Sequence, residues 1–429
     1  MPHQHHHGGG GHHQHAGHDH AHAGAQHQHA GHHGHHDGAM QQALQKYPFL
    51  WGAQEQYIPI ASVNVVPGQK IPTVRVPKNG FLLELLFRFV GTANVTAAGT
   101  AGATGTAPNL LQLISSYVLS YNSGFQYRQI GGEQMYVLDL IRNQGVDAVM
   151  GGPNWKNYSQ VSATNQTIGF CLRDYVGLNT GVNADKYLLA AHARNADITL
   201  DLTFNPNPSG TFAFRGIGAN TEVATISGTL YVEGRYLLDP ASYTRFDKPN
   251  LRRVQQIESD TSYTQVVIGD NTVAITPLNG PRYLGLLFKA TFANVGDPQG
   301  LNSNISRIQL KINNGLNRYD LSSQALAQRN MNELHRIQGG PIGFPWNAGL
   351  PPGWYYLDFL SDASINNAVS QVGRNVISTE RIASLWLIVT VNSGTTLTGN
   401  NMIELVKRVE LPAVGGTNRL SSPAMEGAA

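Results

Sequence analysis

Apolar and polar residues alternate along most of this chain, and one alternating stretch is written twice. Phe81, Leu83, Leu85, Phe87 and Phe89 take every second position in one place, and Leu284, Leu286, Phe288 and Ala290 do so in another. A period of two marks a strand with one face on a core. The copies read Leu83-Glu84-Leu85-Leu86-Phe87-Arg88 and Leu284-Gly285-Leu286-Leu287-Phe288-Lys289. Each runs on into Ala-Asn-Val, at Ala93-Asn94-Val95 and Ala293-Asn294-Val295. Arg88 and Lys289 fall on the same outward side, so both are expected in solvent.

The order of the later elements repeats as well. Before the first copy, Tyr57–Val66 and Ile71–Val76 read as strands around the turn Pro67-Gly68. After it come Leu111–Tyr121, the turn Asn122-Ser123-Gly124, and a helix over Glu133–Asn143 with Met135, Leu138 and Ile141 at helical spacing. Ile198–Phe204 alternates strictly, and Gly228–Leu238 closes the half. After the second copy come Ile308–Ile312, the turn Asn313-Asn314-Gly315 and a helix over Ser322–Leu334. Leu385–Asn392 then answers Ile198–Asn205, and Ile403–Leu411 answers Thr229–Leu237. The Gly/Ala/Thr stretch Thr96–Ala107 lacks large side chains and is expected to project as a loop.

Eight short antiparallel strands per half, with helices in loops, suit a jelly roll better than an immunoglobulin sandwich. The expected fold is all-β: two tandem eight-stranded jelly rolls at 57–238 and 263–412. A linker at 239–262 carries Pro240, Pro249 and the basic run Lys248-Pro249-Asn250-Leu251-Arg252-Arg253, read as a solvated link or subunit contact. Residues 413–429 read as a loose tail.

The N-terminus departs from this pattern. Residues 1–39 hold most of the histidines, mixed with Gly, Ala and Gln, and their only fixed charges are Asp19 and Asp37. Such a tract buries no core and is expected to be disordered. Its imidazoles can bind divalent metal weakly, and they charge as pH falls through about 6.5. Residues 40–56 form an arm: Met40, Leu44 and Tyr47 lie on two helical turns stopped before Pro48, and Phe49, Leu50 and Trp51 follow as an aromatic cluster suited to docking.

Composition removes several functions. A net charge of +2 with 13% charged residues gives no global pull on nucleic acid. The single cysteine, Cys171, allows no internal disulfide and fits assembly in a reducing compartment. No apolar run is long enough to span a bilayer, and no signal peptide is visible.

Candidate chemistry is equally sparse. A two-domain cupin enzyme needs paired histidines on a strand, but outside the tail only His192 and His335 occur. Cys171, His192 and Asp174 have no spacing that makes a nucleophile, base and orienter, and Cys171 is read as a buried structural thiol. Gly151-Gly152-Pro153 and Gly339-Gly340-Pro341 lack the Lys-Ser/Thr of a phosphate loop. The aromatic group Phe344, Trp346, Trp354, Tyr355 and Tyr356, interleaved with Pro351-Pro352-Gly353, reads as a loop that packs as a core lid or a subunit contact; it is also the one feature suited to stacking on sugar rings, which keeps a tandem β-sandwich carbohydrate-binding protein as the alternative. No catalytic, cofactor or metal residues are assigned, and the chain is not read as an enzyme.

Over residues 40–412 this pattern resembles the double-jelly-roll major capsid proteins of tailless icosahedral viruses and bacteriophages in the tectivirus–adenovirus lineage. The resemblance rests on duplicated strands, arm and helix-bearing loops rather than on a signature motif, and it does not extend to the His-rich tract. It implies a structural protein of the virion, assembled in the host cytoplasm, whose homotrimer forms a pseudo-hexameric tile among neighbouring capsomers. It also implies minor capsid or vertex proteins as partners, no sequence-specific nucleic acid, and an inner arm at Met40–Trp51 that can meet an internal lipid membrane. Phe344, Trp346, Trp354, Tyr355 and Tyr356 become candidate tower or intersubunit contacts.

Overall fold

The structure, a computed structural model, describes residues 54–96, 103–106, 111–121, 125–142, 157–160, 166–176, 189–190, 197–205, 215–216, 223–238, 253–259, 263, 265–275, 282–291, 304–313, 315–334, 350, 353–359, 377–379, 382–397 and 401–412. The first half runs β1 (Gln54–Val65), β2 (Val74–Val76), β3 (Phe81–Thr96), β4 (Ala103–Thr106), β5 (Ile114–Tyr121), β6 (Phe125–Ile130), α1 (Gly132–Arg142), β7 (Asn157–Gln160), β8 (Gln166–Tyr175), β9 (Leu189–Ala190), β10 (Ile198–Phe204), β11 (Arg215–Gly216) and β12 (Val223–Leu238). The second runs β13 (Arg253–Ser259), β14 (Gly269–Ile275), β15 (Arg282–Thr291), β16 (Ile305–Ile312), β17 (Leu316–Ser322), α2 (Ser323–Leu334), β18 (Trp354–Asp358), β19 (Ile377–Ser378), β20 (Leu385–Val391) and β21 (Met402–Pro412).

Each half folds as the same jelly roll. One sheet of the first barrel is β1-β12-β3-β8 and the facing one is β2-β10-β5-β6. In the second barrel the corresponding sheets are β13-β21-β15-β18 and β14-β20-β16-β17. Counting eight barrel strands per half, both barrels pair first-eighth-third-sixth and second-seventh-fourth-fifth, the interleaving that two Greek keys produce. Strands β4, β7 and β11 form a separate small sheet, so part of the stretch expected to project as a loop is paired.

The duplication reaches the irregularities. Leu83 is an extra residue between pairs Glu84–Arg235 and Leu82–Tyr236, and Leu284 is extra between Gly285–Arg408 and Tyr283–Val409. Ser115 and Ser306 are extra at the ends of β5 and β16, and Tyr127 and Arg318 within β6 and β17. A bulge bends its strand and fixes register, so three shared bulges tie the two barrels together more tightly than shared letters do. The register also corrects one correspondence. Met402, not Ile403, occupies the place of Thr229, since Tyr231 opposes Arg88 as Glu404 opposes Lys289. A slip of one residue would have put inward Ile403 on an outward position.

The barrels are fused rather than strung on a linker. Within the segment expected to link them, Arg253–Ser259 forms β13, the first strand of the second barrel. Its free edge pairs in parallel with β6, Ile257 opposite Arg128 and Glu258 opposite Gln129, so sheets of both barrels become one nine-stranded sheet. The two cores follow. Leu286, Phe288, Tyr355 and Leu405 point into the second barrel, whereas Leu287, Tyr356, Trp354, Val406 and Ile257 pack into the core of the first. Strand β15 is therefore buried on both faces, and β18 almost entirely. Full burial of each such large apolar side chain contributes roughly 1.5–3 kcal/mol.

Candidate functional site

The seam between the barrels is where the described residues concentrate buried charge. Helix α1 follows Gly131-Gly132, where a side chain on Gly132 would run into the Leu111 carbonyl. Only a glycine lets the chain turn so tightly there into the helix. Met135, Tyr136, Val137, Leu138, Leu140 and Ile141 are all buried, so α1 is covered on every side rather than along one stripe. Glu133 in its first turn is also buried, a position favoured by the helix dipole.

Glu133 is held by three residues. Lys289 Nζ donates to its two oxygens at 2.8 and 2.9 Å, Gln112 Nε2 at 2.7 Å, and the Trp354 indole Nε1 at 3.0 Å. The Lys289 ammonium also lies 5.5 Å from the centre of the Trp354 ring. Burial works against charge on Lys289, yet Glu133 and Glu404 outweigh it and hold its pKa above the usual lysine value. Burial pushes the Glu404 carboxyl above its ordinary range, and Lys289 offsets only part of that. Beside this group a polar cleft of about 730 Å³ opens, with Ser116, Gln129 and Met402 also on its walls. From α1, Gln134 Nε2 donates to Ser259 Oγ of β13 at 3.1 Å, a second tie across the seam. The arrangement is a clamp between barrels: both Glu133 oxygens are engaged.

A second buried ion pair locks the first barrel. Arg128 on β6 is fully buried and donates from Nε to Asp174 Oδ2 on β8 at 3.0 Å, and from Nη2 to the carbonyls of Tyr175 and Val176 at 2.9 Å. Tyr117 OH donates to the same carboxylate at 3.0 Å.

Several expectations change here. Lys289 points away from its own barrel as Arg88 does, but α1 covers it; only Arg88 is exposed, lying 4.6 Å over the Tyr231 ring. Trp354, Tyr355 and Tyr356 are not surface contacts: they are strand residues of β18 with at most 2% of their area exposed. Trp354 and Tyr356 fill the seam and Tyr355 stacks on Phe288 inside the second barrel, so none can stack on a sugar or meet a second subunit. Phe344, Trp346 and the arm residues Met40, Leu44, Tyr47, Phe49, Leu50 and Trp51 lie outside the described residues, as do the His-rich tract, His192 and His335. Cys171 is half-buried rather than buried, and burial pushes its thiol up, away from the reactive thiolate. It stands on the outer side of β8 while Asp174 points inward to Arg128, so the two cannot act together. Among the described residues no cluster of three or more His, Cys, Asp or Glu could hold a metal, and no helix is long and apolar enough to cross a membrane.

The fold thus defines a class, two fused jelly rolls of identical strand order, and the solved structures it resembles include viral coat proteins. The major capsid protein of Sulfolobus turreted icosahedral virus matches 86% of this chain and 99% of its own, with a TM-score of 0.59 at 13% identity. PBCV-1 VP54, fitted into a reconstruction of the virophage Sputnik, matches 85% of this chain and 95% of its own, with a TM-score of 0.54 at 12% identity. No family model matches the sequence, and no curated protein does. At such identities the likeness is one of fold: this chain has the double-jelly-roll fold of those capsid proteins.

Proposed function

We propose that this chain is a structural capsid protein whose homotrimer makes a pseudo-hexameric tile of an icosahedral shell. The observation that carries the reading is the seam: two barrels with the same strand order and the same three bulges are fused side by side through a buried sheet edge. Two like barrels per chain let three chains present six similar faces, which a hexagonal lattice requires. The solved proteins of this fold point the same way, being coat proteins of virions. On this reading the chain is not an enzyme, its site is its packing surface, and its location is the virion after assembly in the host cytoplasm. Its partners are neighbouring capsomers, minor capsid or vertex proteins, and a lipid surface under the arm Met40–Trp51. The carbohydrate-binding alternative has lost its described aromatic platform to the core.

Native mass of the purified chain across a range of concentrations tests the proposal. A species of three 46.5 kDa chains, or particles built from it, is expected. A chain that stays monomeric at every concentration overturns the reading.

A further inference from the structure

The polar cleft beside the clamp holds a carboxylate that no described residue pairs with. Its walls are built from strands of both barrels, with Ser116 and Gln129 from β5 and β6, Ser259 from β13, and Met402 and Glu404 from β21. Lys289 stands opposite Glu404 across the sheet, but its ammonium group is committed to both oxygens of Glu133. Glu404 accepts no hydrogen bond and forms no ion pair among the described residues. The Ser116 hydroxyl and the Gln129 amide are likewise uncommitted among them.

That carboxylate costs the folded chain stability, since burial disfavours its charge and Lys289 offsets only part of the penalty. The fold does not require it. Tyr231 holds the same register position in the first barrel, opposite Arg88 as Glu404 is opposite Lys289. A titratable group kept at such a cost in a cleft marks a functional position, where stability yields to binding.

The walls also set the chemistry of what binds. Three charged side chains of the described residues line the cleft, and Lys289 cancels Glu133, so Glu404 leaves one net negative charge. Calcium or magnesium needs several oxygen ligands, and one free carboxylate beside an ammonium group is a poor set. An alkylammonium ion matches better. It brings three N–H donors, for which the acceptors here are the Glu404 carboxylate, the Gln129 amide oxygen and the Ser116 hydroxyl. Met402 gives its hydrocarbon part an adaptable apolar surface. Clefts of roughly 300–1,000 Å³ hold small organic ligands, and this one has about 730 Å³. We propose that the cleft binds a small aliphatic amine, whose ammonium group pairs with Glu404 while its hydrocarbon part lies along Met402. The site is built within one chain and does not depend on the proposed assembly.

The test is saturation-transfer NMR on the full-length chain at neutral pH, with butylammonium chloride as the probe and n-butanol as its uncharged analogue. Transfer to the methyl protons of the amine is expected, with far less to the alcohol. In Glu404→Gln the affinity read from a titration should fall about tenfold or more, the loss that goes with one hydrogen bond to a charged group. That variant keeps the shape of the side chain and removes a buried charge, so lost binding cannot be read as lost fold. No transfer in the wild type overturns the proposal, as does equal affinity in Glu404→Gln or equal transfer to the alcohol. Displacement of the amine by magnesium chloride, beyond that by sodium chloride at the same ionic strength, would make the cleft a metal site and overturn it too. As an independent measurement, the amine should raise the urea midpoint of the wild type and leave that of Glu404→Gln unchanged. An equal change in both proteins places the amine elsewhere and overturns the assignment.

Discussion

Removing the Glu133 carboxylate tests whether the seam is held by its buried charges or only by apolar packing. Glu133→Leu leaves Lys289, Gln112 and Trp354 with donors aimed at a methyl group. Breaking a buried ion pair from one side costs about 3–5 kcal/mol, because the abandoned charge cannot return to water. Glu404, which also stabilises the charged Lys289, keeps some compensation, so the expected cost is about 3 kcal/mol, the lower end. Lys289→Met is milder, since Gln112 and Trp354 still donate to Glu133, and about 2 kcal/mol is expected. The double variant removes both charges and fills the site with methylene groups. It should cost no more than about 2 kcal/mol, the residue of two unmade hydrogen bonds. A double-mutant cycle from urea unfolding should therefore show a coupling of at least about 3 kcal/mol. A coupling under about 0.5 kcal/mol, the value for sites that do not interact, would refute the clamp.

Two further outcomes follow from the same seam. A methyl group on Gly285 would lie 2.9 Å from the Tyr356 ring and closer still to its hydroxyl, which Arg408 holds in place, so Gly285→Ala should cost about 1–3 kcal/mol in urea unfolding, with partial recovery on adding Tyr356→Phe. An unchanged urea midpoint would show that Tyr356 can give way. Glu404→Gln should stabilise the protein at neutral pH, because burial raises the folded-state pKa of Glu404 above its unfolded value. The folded state keeps that proton longer than the unfolded one, so wild-type stability falls relative to the variant as pH rises from the ordinary carboxyl value of 4.5 through the folded-state pKa. Urea midpoints measured across that range should converge at the acid end; a constant difference would refute the assignment.

Much of the fold was legible because strand alternation is local. Leu83–Phe89 and Leu284–Ala290 announced the duplication, and the helix positions fell within a residue of α1 and α2. What the chain did not announce was which outward faces are wet. Lys289 has the same spacing as Arg88, and nothing nearby in sequence says that a helix from the other barrel covers it. Strand β13 went unseen because prolines and basic residues precede it and its alternation is weak; it is a strand through pairing with β21 and β6. The Trp354–Tyr356 run reads as a loop, a core lid or subunit contact, because Pro351, Pro352 and Gly353 lead into it; three successive aromatics fit no half-wet strand. They fit a strand with a core on each side. One signal could have found the clamp: Glu133 and Asp139 are two carboxylates in a helix whose apolar residues, Met135 to Leu138 with Leu140 and Ile141, go round its whole circumference, so both require buried partners.

The divergence between the two copies of the repeated strand follows from what covers each. In the second copy the outward side carries Gly285, Leu287 and Lys289, and it faces α1, Trp354 and Tyr356, a surface closed permanently within one chain. In the first copy the same positions are Glu84, Leu86 and Arg88, joined across the sheet by Glu233, Tyr231 and Arg173. On that surface Arg88 stays exposed where Lys289 is covered. An exposed face as apolar as the internal seam would be an aggregation hazard. Exposed Arg88 and half-buried Glu233 keep that face polar, while Glu84 beside them is buried against Arg235. The two copies of the strand thus differ in their outward residues and leave Phe87 and Phe288, on the inward side, alike.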